Sequence, residues 1–340
     1  MNNSDYIIIF IITLFIFYIF NTFRNDIGKY FGIIDSPDKE KIHLYNTPLI
    51  GSFILIISSI FLLVYFKFKI INYDLLNIFL YSYIFFLLGF IDDKKNLNPN
   101  FKLLISILIL ILILIFSDKI IIKNLYSTSF NQVFYLNNYL SYLVTILCIL
   151  LLINALNLID GINGLASGFG GFWILGLSLL ISSPDDGLLL LIFSIIIIFN
   201  TFLIYKGNYF LGDSGTLFLG SLVSFLTIHI YNDFNLQNIF ISVEKIFIFF
   251  MIPGIDMFRL FLFRIINKKN PFKRDLDHLH HLMLKLFSLK LTLFLYFLVF
   301  IITNFLSYFS IISEIKIIII YLIIYIFFVL YSKKKFKYPS

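Results

Sequence analysis

Charge is what this 340-residue sequence has least of: Asp, Glu, Lys and Arg make up 13% of it, about half the share in a soluble domain. With 60% of its residues hydrophobic, it cannot build a water-facing surface, and a soluble globular protein is excluded. Cysteine is nearly absent as well. The single Cys148 excludes an intramolecular disulfide and reads as a small apolar packing residue. No linker, low-complexity tail or internal repeat breaks the chain, so residues 1–340 read as a single integral-membrane domain.

What is present instead is a succession of apolar runs, such as 103–116, 188–205 and 291–305. Measured against a hydrocarbon core of about 30 Å, about eleven runs qualify, at 6–23, 48–66, 75–91, 101–117, 139–156, 164–181, 188–205, 216–231, 241–262, 289–310 and 317–331. The fold class is therefore all-α, a polytopic transmembrane helical bundle of about 11 spans. The first run is too long for a signal-peptide core and lacks a small-residue cleavage site, so it is expected to stay as a helix.

Under this topology, alternate loops carry 20 of the 26 lysines and arginines. Short basic loops stay in the cytoplasm, which places the N-terminus outside and the C-terminus, with Lys333, Lys334, Lys335 and Lys337, in the cytoplasm. The net charge of +7 then reflects topology and a basic cytoplasmic face that suits anionic membrane lipids or phosphorylated substrates. Nucleic acid is not an expected partner.

Five polar clusters fall on that same side. Asp92 and Asp93 sit where an apolar run meets the interface, and adjacent carboxylates there repel and lose hydration. They call for a divalent metal or a proton relay, unless they simply end a helix beside Lys94 and Lys95. Asp213 lies between Gly212 and Gly215 at the start of another apolar run. That pattern leaves backbone N–H groups open for phosphate oxygens while Asp213 holds Mg²⁺, or else it is an ordinary helix cap. Asn154, Asn157, Asp160 and Asn163 recur every third residue, placing them along one side of a helix end, where they suit hydrogen bonding to a nucleotide or sugar, or a packing ladder. His278, His280 and His281 follow Asp275 and Asp277. Their spacing lacks the i, i+4 pair of a helical zinc site and suits phosphate binding or acid–base work. The fifth cluster runs from Asp35 through Lys41 and His43 to Pro48 and Gly51.

In this order and on this side, the clusters resemble the polyprenyl-phosphate N-acetylhexosamine-1-phosphate transferase family, from about Gly32 to Met283. The resemblance implies attack of an undecaprenyl or other polyprenyl phosphate on a UDP-N-acetylhexosamine. The products are UMP and a diphosphate-linked lipid sugar, as the first step of a surface glycan such as O-antigen, capsule or teichoic acid. It implies Mg²⁺ (or Mn²⁺) on Asp213, with Asp93 a candidate second ligand. Asp92, Asp93, His280 and His281 are the expected catalytic residues; Lys41, His43, Asn157, Asp160, Asn163, Phe210 and His278 are the expected substrate-binding ones. Phe210 falls where the family places an aromatic ring on uracil, and Lys41 with the His280/His281 pair would neutralise phosphate charge. The resemblance further implies a cytoplasmic-facing site in a bacterial-type inner membrane, with a homodimer a candidate assembly.

Asn96 and Leu282 depart from the muramoyl-pentapeptide members, which favours glycan initiation over the peptidoglycan enzyme. Asn163 replaces a third aspartate of many members, and the segment before Phe210 lacks the usual Asn-x-Pro, so Asn200 and Asn208 are its candidate substitutes. A proton-coupled transporter is the rival from another class, and it predicts ionisable residues near the bilayer midplane.

Overall fold

Long runs of Ile, Leu and Phe facing lipid have one economical backbone solution, because only a helix satisfies every N–H and C=O within its own segment. The computed structural model describes residues 3–37, 45–67, 73–237, 241–268 and 277–337. Its helices are α1 (Asn3–Thr22), α2 (Arg24–Phe31), α3 (Gly51–Lys67), α4 (Tyr73–Lys95), α5 (Pro99–Phe116), α6 (Asn138–Ile159) and α7 (Leu165–Ser178). They continue as α8 (Pro184–Tyr205), α9 (Gly212–Leu236), α10 (Val243–Ile266), α11 (Leu279–Leu286), α12 (Leu289–Tyr308) and α13 (Glu314–Lys337). Two small antiparallel pairs complete the set: β1 (Ile34–Asp35) with β2 (Thr47–Pro48), and β3 (Asn124–Ser127) with β4 (Gln132–Tyr135).

The helix starts are written locally. Asn98 and Ser183 cap α5 and α8, each followed by a proline at the first helical position, and Asn137, Ser242 and Ser288 cap α6, α10 and α12 through their side-chain oxygens.

Each of the eleven expected runs falls on a helix, but not every one of these helices is long enough to count as a span by itself. Among the described residues eight helices are long and apolar enough to cross a membrane, and a ninth span is reached if α1 and α2, bent by 71°, count as one. The two others, α3 and α7, are shorter apolar helices. With 14 residues, α7 rises about 21 Å, less than the hydrocarbon core. It follows the turn at residues 160–164, and most of its residues are buried among its neighbours.

At the centre stands α9, packed by α3, α4, α6 and α7 and almost wholly buried. Its Ser214, Gly215, Thr216, Gly220, Ser221 and Ser224 let the surrounding helices come close, which is how helices associate where lipid supplies no hydrophobic drive. The periphery is the reverse: Leu108, Leu112, Ile115 and Phe116 of α5 and Ile319, Ile323 and Phe327 of α13 are exposed, a surface tolerable only in lipid. Cys148 is on the exposed face of α6. His229 is buried on α9, its Nε2 3.5 Å from Asp233 one turn on.

Candidate active site

Two consecutive aspartates end α4, and the helix turns them to different tasks. Asp93 faces the first turn of α9. Its Oδ1 accepts the N–H of Asp213 (2.7 Å), and its Oδ2 accepts both the N–H (3.0 Å) and the hydroxyl (2.5 Å) of Ser214. Asp93 thus caps α9 from a neighbouring helix and complements its positive end. Gly89, one turn earlier, makes this possible: a Cβ there would sit 2.5 Å from the carbonyl oxygen of Asp213 and the Cα of Ser214. Ser52 of α3 tightens the joint through a 2.8 Å bond between its hydroxyl and that of Ser214.

The Asp213 and Ser214 amides of α9 are therefore taken by Asp93 and not open for phosphate, and both Asp93 oxygens serve this cap. Asp213 itself supplies no cap, so its side chain is left for other work.

Asp92 points elsewhere. Its Oδ2 meets the Lys102 Nζ at 2.7 Å, the same ammonium lies 3.0 Å from Asp213 Oδ2, and Asp92 Oδ1 accepts the N–H of Leu97 at 2.7 Å. Asn96 adopts a left-handed conformation (φ 49°), which asparagine tolerates, and so closes α4 beneath the pair. Asn157 of α6 completes the group, donating through Nδ2 to Asp213 Oδ1 (2.6 Å) and to the Thr216 hydroxyl (2.8 Å). Lys102 was hidden in the sequence as one more basic loop residue. Its signal was its place in the first turn of an apolar helix, where a lone charge is costly without a partner.

Two carboxylates converging on one cationic nitrogen are a fair test of whether a metal ion suits the site. The ammonium of Lys102 stands between Asp92 and Asp213 where a divalent ion would bind, so the donor set fits such an ion.

The asparagine series does not form one ladder. Asn157 enters the site, Asn154 bonds back to the Leu150 carbonyl of its own helix (2.7 Å), and Asp160 and Asn163 follow the end of α6 in the turn leading to α7, both half-buried. Phe210 is fixed by its backbone: its N–H donates to Pro48 and its carbonyl accepts from Gly51, both at 2.9 Å. Asn200 is buried, donating to the Gly51 carbonyl (3.1 Å) and accepting from the Tyr209 hydroxyl (2.7 Å), while Asn208 bonds Asn21 (2.8 Å). Both candidate substitutes for the missing motif therefore brace the segment around Phe210. Lys41 and His43 lie outside the described residues.

The histidines gather at the N-terminus of α11. His280 is fully buried between His278 (ring centroids 5.3 Å, nearly parallel) and His281 (4.2 Å), with neither ring nitrogen hydrogen-bonded among the described residues. Burial, reinforced by the neighbouring histidines, pushes its basicity well below the ordinary imidazole range. His280 is therefore disfavoured as a source of positive charge in the expected pair, and His281 beside it is half-buried. The rings reach the turn after α6: a Cβ on Gly161 would collide with the Nε2 atoms of both His280 and His281. Since Asn157 lies one turn before Gly161, this segment joins the histidines to the Asp213 group.

Behind them, Asp256 of α10 accepts from His278 Nδ1 (2.9 Å), Arg259 (3.0 Å), the Tyr325 hydroxyl (2.7 Å) and the Leu279 N–H (3.1 and 3.2 Å). Donor atoms of Asp256, His278 and His280 lie within 4.8 Å of one another. The guanidinium and three further donors on the carboxylate make this trio a poorer home for a cation than the Asp92–Asp213 gap.

Residues 75–231 match the family model described as glycosyl transferase family 4, a segment that holds Asp92, Asp93, Lys102, Asn157, Asp160, Asn163, Phe210 and Asp213 but ends before the histidines. The chain is also similar to the probable undecaprenyl-phosphate N-acetylglucosaminyl 1-phosphate transferase of Bacillus subtilis (strain 168), at 29% identity over 287 residues, covering 81% of this chain and 76% of that protein. The family model falls on the helices that build the Asp213 group, and the relative extends the likeness along most of the chain.

Proposed function

We propose that the protein transfers an N-acetylhexosamine-1-phosphate from a UDP-sugar to a polyprenyl phosphate such as undecaprenyl phosphate, forming a polyprenyl diphosphate sugar and UMP. The observation that carries the reading is the convergence of Asp92, Asp213, Lys102 and Asn157 at the ends of four apolar helices, inside the family-matched segment. A site at helix ends suits a reaction in which one substrate keeps its tail in lipid and the other arrives from water. The name of the Bacillus subtilis relative, a probable undecaprenyl-phosphate N-acetylglucosaminyl 1-phosphate transferase, supports the same chemistry.

In this reading the new bond forms between a lipid phosphate oxygen and the β-phosphorus of the donor, and the bond to UMP breaks. Mg²⁺ or Mn²⁺, held by Asp213 and Asp92, would supply a positive charge against the two phosphorylated reactants. Lys102, which holds the two carboxylates in the ion's absence, would be moved aside by it and add a second cation nearby. Asn157 fixes the rotamer of Asp213 through its amide, and Asp93 fixes the backbone beneath it. The lipid phosphate, with a second pKa near 6, is largely deprotonated at pH 7 and needs little help from a base. His281, Asp160, Asn163 and Phe210 are the residues we assign to the donor, and Lys41 and His43 to phosphate. The basic loops orient this face to the cytoplasm of a bacterial-type inner membrane, where the product would start a surface glycan.

A transporter reading gains from Asp256, which lies well inside α10. It loses more, because that carboxylate is closed by Arg259, His278 and Tyr325 and offers no open relay.

The test is UMP release by the purified protein with Mg²⁺, undecaprenyl phosphate and a panel of UDP-N-acetylhexosamines. UMP that requires both lipid phosphate and metal, and disappears with EDTA, is the expected result; none with any donor from folded protein would refute the transfer.

A further inference from the structure

Asp256 is absent from the chemistry just described, yet it is among the most heavily bonded side chains of the described residues. Its two oxygens accept from an imidazole, a guanidinium, a phenol and a backbone amide. The network crosses three elements: Asp256 and Arg259 come from α10, His278 and Leu279 from the start of α11, and Tyr325 from α13. Arg259 ties it further, donating to the Asp277 carbonyl (2.7 Å) and to the Tyr325 hydroxyl (2.5 Å). Such a closed set does not invite a ligand. It fixes something, and the one partner with a second functional end is His278.

Every polar neighbour of Asp256 is a donor, so the carboxylate acts as acceptor throughout and His278 Nδ1 must carry the proton. In its neutral form the ring is thereby held as one tautomer, with Nε2 left as the lone-pair nitrogen. That Nε2 has no hydrogen-bond partner among the described residues and is not among the sealed unpartnered atoms, in contrast to both nitrogens of His280. The imidazole is 3% exposed and lies flat against His280, so it cannot rotate freely. Carboxylate-to-imidazole bonds of this kind set ring orientation and tautomer wherever a histidine must present one defined nitrogen.

We propose that Asp256 is a positioning residue. With Arg259 and Tyr325 it locks His278 as the Nδ1–H tautomer and presents Nε2 as an acceptor, toward a hydroxyl or amide of the sugar donor or a protonated phosphate oxygen. The last helix, α13, thus contributes to the site through Tyr325. The assignment of that nitrogen to the donor rests on the transferase reading; the tautomer does not.

The two are separated by measuring both. In protein labelled with ¹⁵N-histidine in liposomes at pH 8, solid-state NMR should show His278, assigned by loss of its signals in His278→Gln, with Nδ1 protonated and Nε2 bare. In Asp256→Asn the two nitrogens should move toward a mixture of tautomers. In the UMP assay, Asp256→Asn should lower kcat by roughly 10- to 100-fold, with KM for the UDP-sugar changed less than threefold. The double variant Asp256→Asn/His278→Gln should be no slower than His278→Gln alone, because Asp256 acts through that ring. Tyr325→Phe, which keeps the carboxylate and its charge partner, should shift the same signals less, and it serves if Asp256→Asn does not fold. The proposal fails if wild-type His278 carries its proton on Nε2, if its signals are indifferent to both variants, or if the double variant shows the product of two independent losses. It fails equally if purified protein holds a stoichiometric transition metal that Asp256→Asn releases, since Asp256 would then be a ligand. An inactive wild type with the expected tautomer would overturn the transferase reading and leave the lock standing.

Discussion

Asp213 and Asp256 each sit on a helix of the bundle, and each gathers polar partners from other helices, but the two groups are closed to different degrees. Around Asp213 a second carboxylate, Asp92, shares one lysine, and the Asp213 and Lys102 side chains are 17% and 16% exposed. Around Asp256 a single carboxylate has more donors than it needs, and its side chain is 4% exposed. A group with surplus negative charge and a long, displaceable cation is suited to exchange that cation for substrate and metal. A group with surplus donors is suited to hold geometry. The adjacent Asp92 and Asp93 repeat the contrast within one turn, since Asp92 belongs to the open group and Asp93 is spent on the α9 cap.

Substitutions can break this contrast, beginning with the most damaging. Asp213→Asn should reduce UMP release by about 10³-fold, since it removes charge where phosphate charge is offset, while the melting temperature stays near wild type. Asp93→Asn should instead cost stability, about 2–4 kcal/mol for the lost charge-assisted bonds to α9, seen as a lower melting temperature with activity falling alongside. Equal melting temperatures for the two variants would erase the distinction. Asp92→Asn should lower turnover about 10²-fold while UDP-sugar binding, measured calorimetrically, survives. Lys102→Gln should cut turnover and also reduce the Mg²⁺ concentration giving half-maximal rate, because the competing ammonium is gone; an increased Mg²⁺ requirement would argue against competition. The smallest effect belongs to His280. Its folded-state basicity is depressed, so its contribution to stability is full above an unfolded pKa of about 6.5 and is lost as pH falls below it. His280→Gln should flatten that acid-side slope in thermal melts between pH 7 and 5.

The sequence carried the helices well because their signal is local: an apolar run long enough to cross lipid has few alternatives to a helix. It carried the number of spans less well. Whether α3 and α7 reach both interfaces depends on where the chain turns, and the turn before α7 lies within a Gly-rich stretch that hydropathy averages over. Asp92, Asp213 and Asn157 stood out because polar residues at span ends are conspicuous. Their division of labour did not, since whether Asp92 or Asp93 faces α9 depends on the rotation of α4, set by the close approach at Gly89. Lys102 looked like a topology marker, and Tyr325 like one aromatic among many. Tyr325 gained meaning from Asp256, 69 residues away, and Lys102 from Asp213, 111 residues away, together with the nearer Asp92, long separations that no local pattern encodes.

The burial of α9 has a mechanical consequence. Changes in bilayer thickness or lateral pressure act on the helices that touch lipid, such as α5, α12 and α13, and reach a central helix only after attenuation through its neighbours. The Asp213 end of the site is thus mounted on the part of the molecule best insulated from membrane strain. Tyr325 rides on α13, one of the most lipid-exposed helices, so the histidine end can feel acyl-chain composition that the aspartate end does not.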